Sequence, residues 1–149
     1  MMIKIFKIIS FIIFISFSFK SLFANDIGSI EANKLYEENK IIIIDVRNKS
    51  EWEETGIIPG VHLVQMLNPI FKIRKNFIED ITKILGPDKN IAAAVICKSG
   101  GRSNATMEIL KEEGYINISN IAEGMVGDGE KTGWITRKLP LEECKQKCE

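Results

Sequence analysis

One thiol stands apart in this chain. Cys97 closes an apolar run, I-A-A-A-V-I-C over 91–97, and is followed at once by Lys98, Ser99, Gly100, Gly101, Arg102 and Ser103. In open α/β sheets ligands sit at the carboxyl ends of strands, and a cysteine there is well placed to react. Gly100 and Gly101 let the backbone turn its N–H groups inward as an anion-binding nest. A helix expected over 103–113 points its positive end at the same place. Lys98 and Arg102 add two cations. Such surroundings favour the thiolate, which is the nucleophile, and would also hold an anionic substrate or a negatively charged covalent intermediate. An inert buried cysteine would leave both glycines and both cations unexplained.

Phosphate transfer and sulfur transfer both use a cysteine, a loop and an arginine. Four residues separate Cys97 from Arg102. The cysteine phosphatases carry five, a ring wide enough for a tetrahedral phosphate. The tighter ring suits a single extra sulfur atom on the cysteine, a persulfide.

The elements that must position this loop alternate between strand and helix. Ser29 can cap a helix over 30–39 that sets Ala32, Leu35 and Tyr36 on one face. The run I-I-I-I-D-V over 41–46 reads as a strand buried on both sides, the mark of a parallel sheet. Residues 49–55 form a short helix closed by Gly56. Pro59-Gly60 turns into a second strand over 61–64. The spacing of Ile70, Phe71, Ile73, Phe77, Ile78, Ile81, Ile84 and Leu85 predicts one helix over 68–85, ended by Gly86-Pro87-Asp88. Further strands are expected over 91–97 and 117–121, with Gly114 at the C′ position of the intervening helix. The stretch 123–149 is Gly-rich and then charged, without a clear helical pattern. The reading is an α/β sandwich with a mostly parallel sheet.

At 149 residues the chain fits one domain. Its 20 basic and 20 acidic residues balance, but unevenly. Residues 1–24 hold Lys4, Lys7 and Lys20 and no acid, which leaves 17 basic and 20 acidic residues, net −3, on the body over 25–149. A mildly acidic body argues against nucleic-acid binding. Lys4 and Lys7 precede I-I-S-F-I-I-F-I-S-F-S-F over 8–19, and Ala24 stands before the polar Asn25-Asp26. This is the pattern of a secretory signal over 1–24, cleaved after Ala24, with export to an envelope space such as a periplasm. An uncleaved segment would instead tether the protein to the inner membrane, the only membrane contact expected. In an oxidising compartment Cys144 and Cys148, in C-K-Q-K-C, suggest a local disulfide, and Cys97 a free thiol. Residues four apart on a regular helix are awkward to bridge, so the tail would have to deviate; two reduced thiols are the alternative. With one His in the chain, far off in sequence, a metal site is the weaker reading.

Taken together, these segments resemble a rhodanese-type sulfurtransferase domain. The resemblance rests on I-D-V-R (44–47) with Glu51-Trp52, G-I-I-P-G-V (56–61) and C-K-S-G-G-R-S (97–103). It continues through G-Y-I-N-I (114–118) and E-G-M…G-W…L-P (123–125, 133–134, 139–140). It implies one domain over 25–149 with a short cysteine-containing tail, built on a five-stranded, mainly parallel sheet with helices on both faces. It implies that Cys97 attacks the outer sulfur of a small anionic donor such as thiosulfate, and that a thiol or a protein cysteine takes the sulfur on. The amides of 98–102 would hold the persulfide, and Arg102 would close the loop and help bind donor. Asp45 and Arg47 would brace the sheet edge without reacting. No cofactor or metal is required. The alternative is a sulfur-carrier or binding module that depends on a partner and has little activity on thiosulfate. The family usually carries Gly-His-Ile-Pro-Gly; here Ile57 replaces the His, a change expected to alter a surface contact. Met125 replaces a frequent second glycine near the rim, which bears on substrate choice.

The other candidates read as structural. His62 follows a Pro-Gly turn and fits a structural role better than that of a base. Trp52 and Trp134 read as packing anchors. The pairs Glu53-Glu54, Glu112-Glu113 and Glu142-Glu143 read as solvated faces. Lys72, Arg74 and Lys75 form a cluster too small for nucleic acid, whose charge would suit an acidic protein partner.

Overall fold

A computed structural model of the chain describes residues 26–130, 132–145 and 148. The expected signal segment over 1–24 and its cleavage point lie outside the described residues. Strand β1 (Asp26–Ile27) leads into α1 (Ser29–Glu37), β2 (Ile42–Asp45), α2 (Lys49–Thr55) and β3 (His62–Leu63). Then follow α3 (Phe77–Leu85), β4 (Ala93–Ile96), α4 (Gly101–Glu112) and β5 (Ile118–Ile121). The strands form one five-stranded sheet in the order β1-β5-β4-β2-β3, and every pairing is parallel. All strands therefore end at the same edge.

The two central strands, β2 and β4, are buried on both faces, as their unbroken apolar runs require. Side-chain alternation sorts the core into two layers. Ile44, Val46, Ala93, Val95 and Cys97 face α3 and α4, where Phe77, Ile81, Leu85, Met107 and Leu110 complete a layer. Ile43, Ala94, Ile96 and Ile121 face the other way, onto Ala32 of α1 and onto Ile58 and Trp134. Trp134 is fully buried, and its indole N–H donates to the Pro140 carbonyl at 3.0 Å.

Three expectations are corrected. Ser29 is not the cap of α1: the cap position is Gly28, and the Ser29 N–H donates to a Glu123 carboxylate oxygen at 3.0 Å, a cap supplied from across the fold. The helix expected over 68–85 exists only as α3. Before it, Leu67 and Ile73 pair as an antiparallel bridge around a turn. Asn68 causes this, because its side-chain oxygen accepts from the amides of Ile70 and Lys72 at 3.1 and 2.9 Å, a local bond that competes with helix. Ile57 is not a surface residue. It is fully buried against Trp52 and Cys148, and its backbone exchanges two hydrogen bonds with Glu142. That pairing also draws Glu142 partly out of solvent.

Candidate active site

Cys97 is the residue after β4, on the same face as Ala93 and Val95, and is 1% exposed. The chain then turns sharply so that α4 can start at Gly101. Gly100 makes the turn with φ +93°, a left-handed conformation that costs glycine little. A methyl group there would also strike the Ala122 carbonyl. Gly101, by contrast, has ordinary backbone and open space before it, so only one of the two glycines is needed for the turn.

The turn aims donors at the sulfur. The Gly100 N–H reaches Cys97 Sγ at 3.2 Å. The Ser103 hydroxyl lies 3.3 Å from Sγ and 3.0 Å from the Gly100 carbonyl, and can donate to either. The first α4 amide with an intrahelical acceptor is Asn104, on the Gly100 carbonyl at 2.9 Å. The amides of residues 101–103 are left without one, as at every helix start, and favour negative charge in front of them. Behind the loop, Met125 and Val126 donate to the Cys97 and Lys98 carbonyls, each at 2.9 Å. Gly124 lies so close to the Lys98 carbonyl that no side chain fits between them.

The two cations divide. Lys98 and Ser99 are exposed at the rim. Arg102 is turned onto Glu51 of α2, with Nη1–Oε2 2.7 Å and Nη2–Oε1 2.6 Å, and the side chains are 22% and 17% exposed. The same Glu51 accepts from the Asn48 N–H at 2.8 Å. Burial pushes the Glu51 carboxyl up, but the Arg102 hydrogen bonds, the Asn48 amide and the charges of Arg102 and Arg47 outweigh it, and the net shift is downward. Arg102 is raised, first by its hydrogen bonds to Glu51, against desolvation, and further by the charges of Glu51, Cys97 and Asp45. In the sequence Glu51 stands out only through the Glu-Trp motif; the structure adds that it closes a capping box with Asn48. Its tie to Arg102 spans 51 residues and has no local signal.

Arg47 and Asp45 fix α2 to the sheet from below. Both are buried. The Arg47 guanidinium spans Asp45 through Nε and Nη2, donates to Thr55 Oγ1 at 2.7 Å and to the Gly56 carbonyl at 2.8 Å, and reaches the Glu51 carbonyl at 3.2 Å. It thus takes up the Gly56 carbonyl just past the end of α2, which the helix itself leaves without a donor. A second unanticipated tie joins Arg137 to Glu123, the carboxylate that caps α1. His62 is exposed on the edge strand β3, two strands from β4, and is not brought to Cys97. Cys144 and Cys148 are joined as a disulfide with Cα atoms 5.6 Å apart, packed on Trp52 and Ile57. Cys97 is free. Among the described residues no cluster of three or more His, Cys, Asp or Glu could hold a metal ion.

A parallel α/β sheet whose central strand ends in a buried thiol, met by the Gly100 amide and the Ser103 hydroxyl in front of a helix start, defines a class: cysteine-loop α/β domains. The comparisons agree. A family model described as the rhodanese-like domain matches residues 30–130; the chain belongs to that family. The Rickettsia prowazekii protein RP600 is 32% identical over 111 residues, covering 72% of this chain and 88% of its own. Among solved structures, Rv0390 of M. tuberculosis is similar with a TM-score of 0.67 at 26% identity, covering 80% of this chain and 98% of its own. The polysulfide-sulfur transferase of Wolinella succinogenes shares the fold, with a TM-score of 0.58 at 24% identity and coverage of 81% and 80%. The chain thus carries a rhodanese-like domain.

Proposed function

We propose that the protein is a sulfurtransferase that works through a persulfide on Cys97, taking sulfane sulfur from thiosulfate or a similar small anion and passing it to a thiol or a protein cysteine. The observation that carries this is the convergence of the Gly100 amide and the Ser103 hydroxyl on Cys97 Sγ within a loop of four intervening residues. The Cys97 thiolate attacks the outer sulfur of the donor. A sulfur–sulfur bond forms, the bond to the sulfonate sulfur breaks, and sulfite leaves with the electron pair. The persulfide keeps one negative charge, within reach of the amides at the start of α4. The acceptor thiolate then takes the outer sulfur and the Cys97 thiolate is restored. Lys98 draws the donor in, and Arg102, locked to Glu51, walls the loop. Asp45 and Arg47 hold α2, and with it Glu51, in place. The protein acts in an exported, oxidising compartment, where the tail disulfide persists.

One observation favours a second reading, a carrier that receives sulfur from a partner protein. Arg102 spends two donor nitrogens on Glu51, so less charge is free to bind a small dianion. Thiocyanate production from thiosulfate and cyanide, measured beside hydrolysis of an aryl phosphate, separates the readings. Saturable thiocyanate formation, lost in Cys97→Ser, supports the enzyme. Persulfide acceptance from a protein donor without thiocyanate formation supports the carrier. Phosphate release at a comparable rate would overturn both.

A further inference from the structure

The carboxyl edge of the sheet carries a second feature beside the Cys97 loop. Between β3 and α3 the chain rises as a small hairpin. The Asn68 N–H donates to the Lys72 carbonyl at 2.8 Å, the Phe71 N–H to the Asn68 carbonyl at 2.9 Å, and the Arg74 N–H to the Met66 carbonyl at 2.9 Å. The Asn68 side chain holds two further amides from inside the turn. At the tip Phe71 is 79% exposed, with Ile70 at 68% and Ile73 at 50%. Phe71 has φ +58°, a conformation costly for a bulky residue. A rigid turn that spends strain to hold an aromatic ring in water is preorganised for contact with something else.

The hairpin is also charged against the rest of the molecule. Residues 64–76 contain Lys72, Arg74 and Lys75 and no acid, on a body of net −3. Arg74 is tied to Asp80. Lys72 and Lys75 are exposed and have no ion-pair partner among the described residues. The base of the hairpin is tied to the two helices beside the Cys97 loop: Met66 Sδ accepts from Thr106 of α4 at 3.9 Å, and the Gln65 side chain accepts from the Lys49 amide of α2 at 3.1 Å. These are the helices that carry Arg102 and Glu51. With Lys98 at the rim, this end presents an apolar knob among uncompensated lysines.

We infer that the 67–75 hairpin is the docking element for the protein that exchanges sulfur with Cys97, an acidic partner with an apolar pocket for Phe71 and its own cysteine beside that pocket. This rests on the sulfur-transfer reading and names its partner. Cys97 is buried, so a protein acceptor must seat against this end to bring its sulfur within bonding distance, and the hairpin lies where it would seat. A lipid surface could also take an apolar tip with basic flanks, but it would cover the end from which donor and acceptor must enter.

The test uses the full chain carrying Cys97→Ser and a fluorescent peptide in which one cysteine sits between leucines inside a run of glutamates. Matched peptides carry lysines for the glutamates, or serines for the leucines. The acidic, leucine-containing peptide is expected to bind at least about tenfold tighter than either control, with the preference shrinking at high salt. Phe71→Ser should weaken it about tenfold, and the double variant Lys72→Glu/Lys75→Glu should reverse the charge preference. In the Cys97 background both sets should form thiocyanate from thiosulfate within about twofold of the parent, since neither touches the sulfur loop. Equal binding of the three peptides, or binding indifferent to Phe71→Ser, overturns the inference. So does sedimentation of the protein with phosphatidylglycerol vesicles that Phe71→Ser abolishes, or a Phe71-dependent dimer of this chain. Peptide binding without thiocyanate formation would instead count against the enzyme reading and leave the docking element standing.

Discussion

Replacing Glu51 by Gln tests the tie that holds the wall of the Cys97 loop. The pair with Arg102 is bidentate, at 2.6 and 2.7 Å, and mostly shielded from water. It lies between exposed pairs, worth little, and fully buried ones, whose rupture costs several kcal/mol. Gln keeps one acceptor for Arg102 but turns an amide toward the other donor and removes the charge. The expected loss is about 2 kcal/mol at pH 7, or about 6–8 °C in Tm. The sign with pH follows from the lowered Glu51 value. A carboxyl depressed in the folded state adds stability that is fully present above its ordinary 4.5 and is lost as pH falls through the folded value. The gap between parent and Glu51→Gln should therefore be full at pH 7 and close below about 4.5. Urea unfolding at pH 7, 5.5, 4 and 3 reads it directly. A gap under about 0.5 kcal/mol at pH 7, or one that stays constant into acid, would refute the reasoning, because it would mean the pair is as weak as an exposed one or acts without its charge.

Three further outcomes follow from named contacts. Arg47→Met strands the buried Asp45 carboxylate and frees the end of α2, and should cost about 3–5 kcal/mol in denaturant unfolding. Ser103→Ala removes one of the donors beside Sγ and should slow sulfur loading by roughly tenfold or more while the fold stays intact by circular dichroism. Gly124→Ala places a methyl 2.5 Å from the Lys98 carbonyl at φ +61°, and should lower stability by about 2–3 kcal/mol and sulfur loading with it, since the Cys97 loop must shift to make room.

Much of the fold and the reactive loop can be read from the residues themselves. The β-branched run of β2 and the apolar run of β4 leave little choice but buried parallel strands, and Gly56, Gly86 and Gly114 mark helix ends because each adopts a positive φ. Cys97 stands out because a strand, a glycine turn and a helix start are all local features. What could not be read depends on distance or on competition. Glu51 and Arg102 meet only through the fold. Ile57 is buried by a tail that returns from residue 142. The apolar spacing over 70–85 mimics a helix throughout, but Asn68-Pro69 starts a turn whose side-chain bonds outweigh it. The resemblance to rhodanese-type domains supplied the fifth strand, β1, whose two residues carry no pattern of their own.

The central claim is that Cys97 carries sulfur, and intact-mass analysis of the purified protein before and after thiosulfate addresses it most directly. The account predicts a gain of one sulfur atom, absent in Cys97→Ser and reversed by cyanide, with Cys144 and Cys148 two protons short throughout. No gain from thiosulfate or from a protein persulfide donor, with Cys97 still open to alkylation, would contradict it.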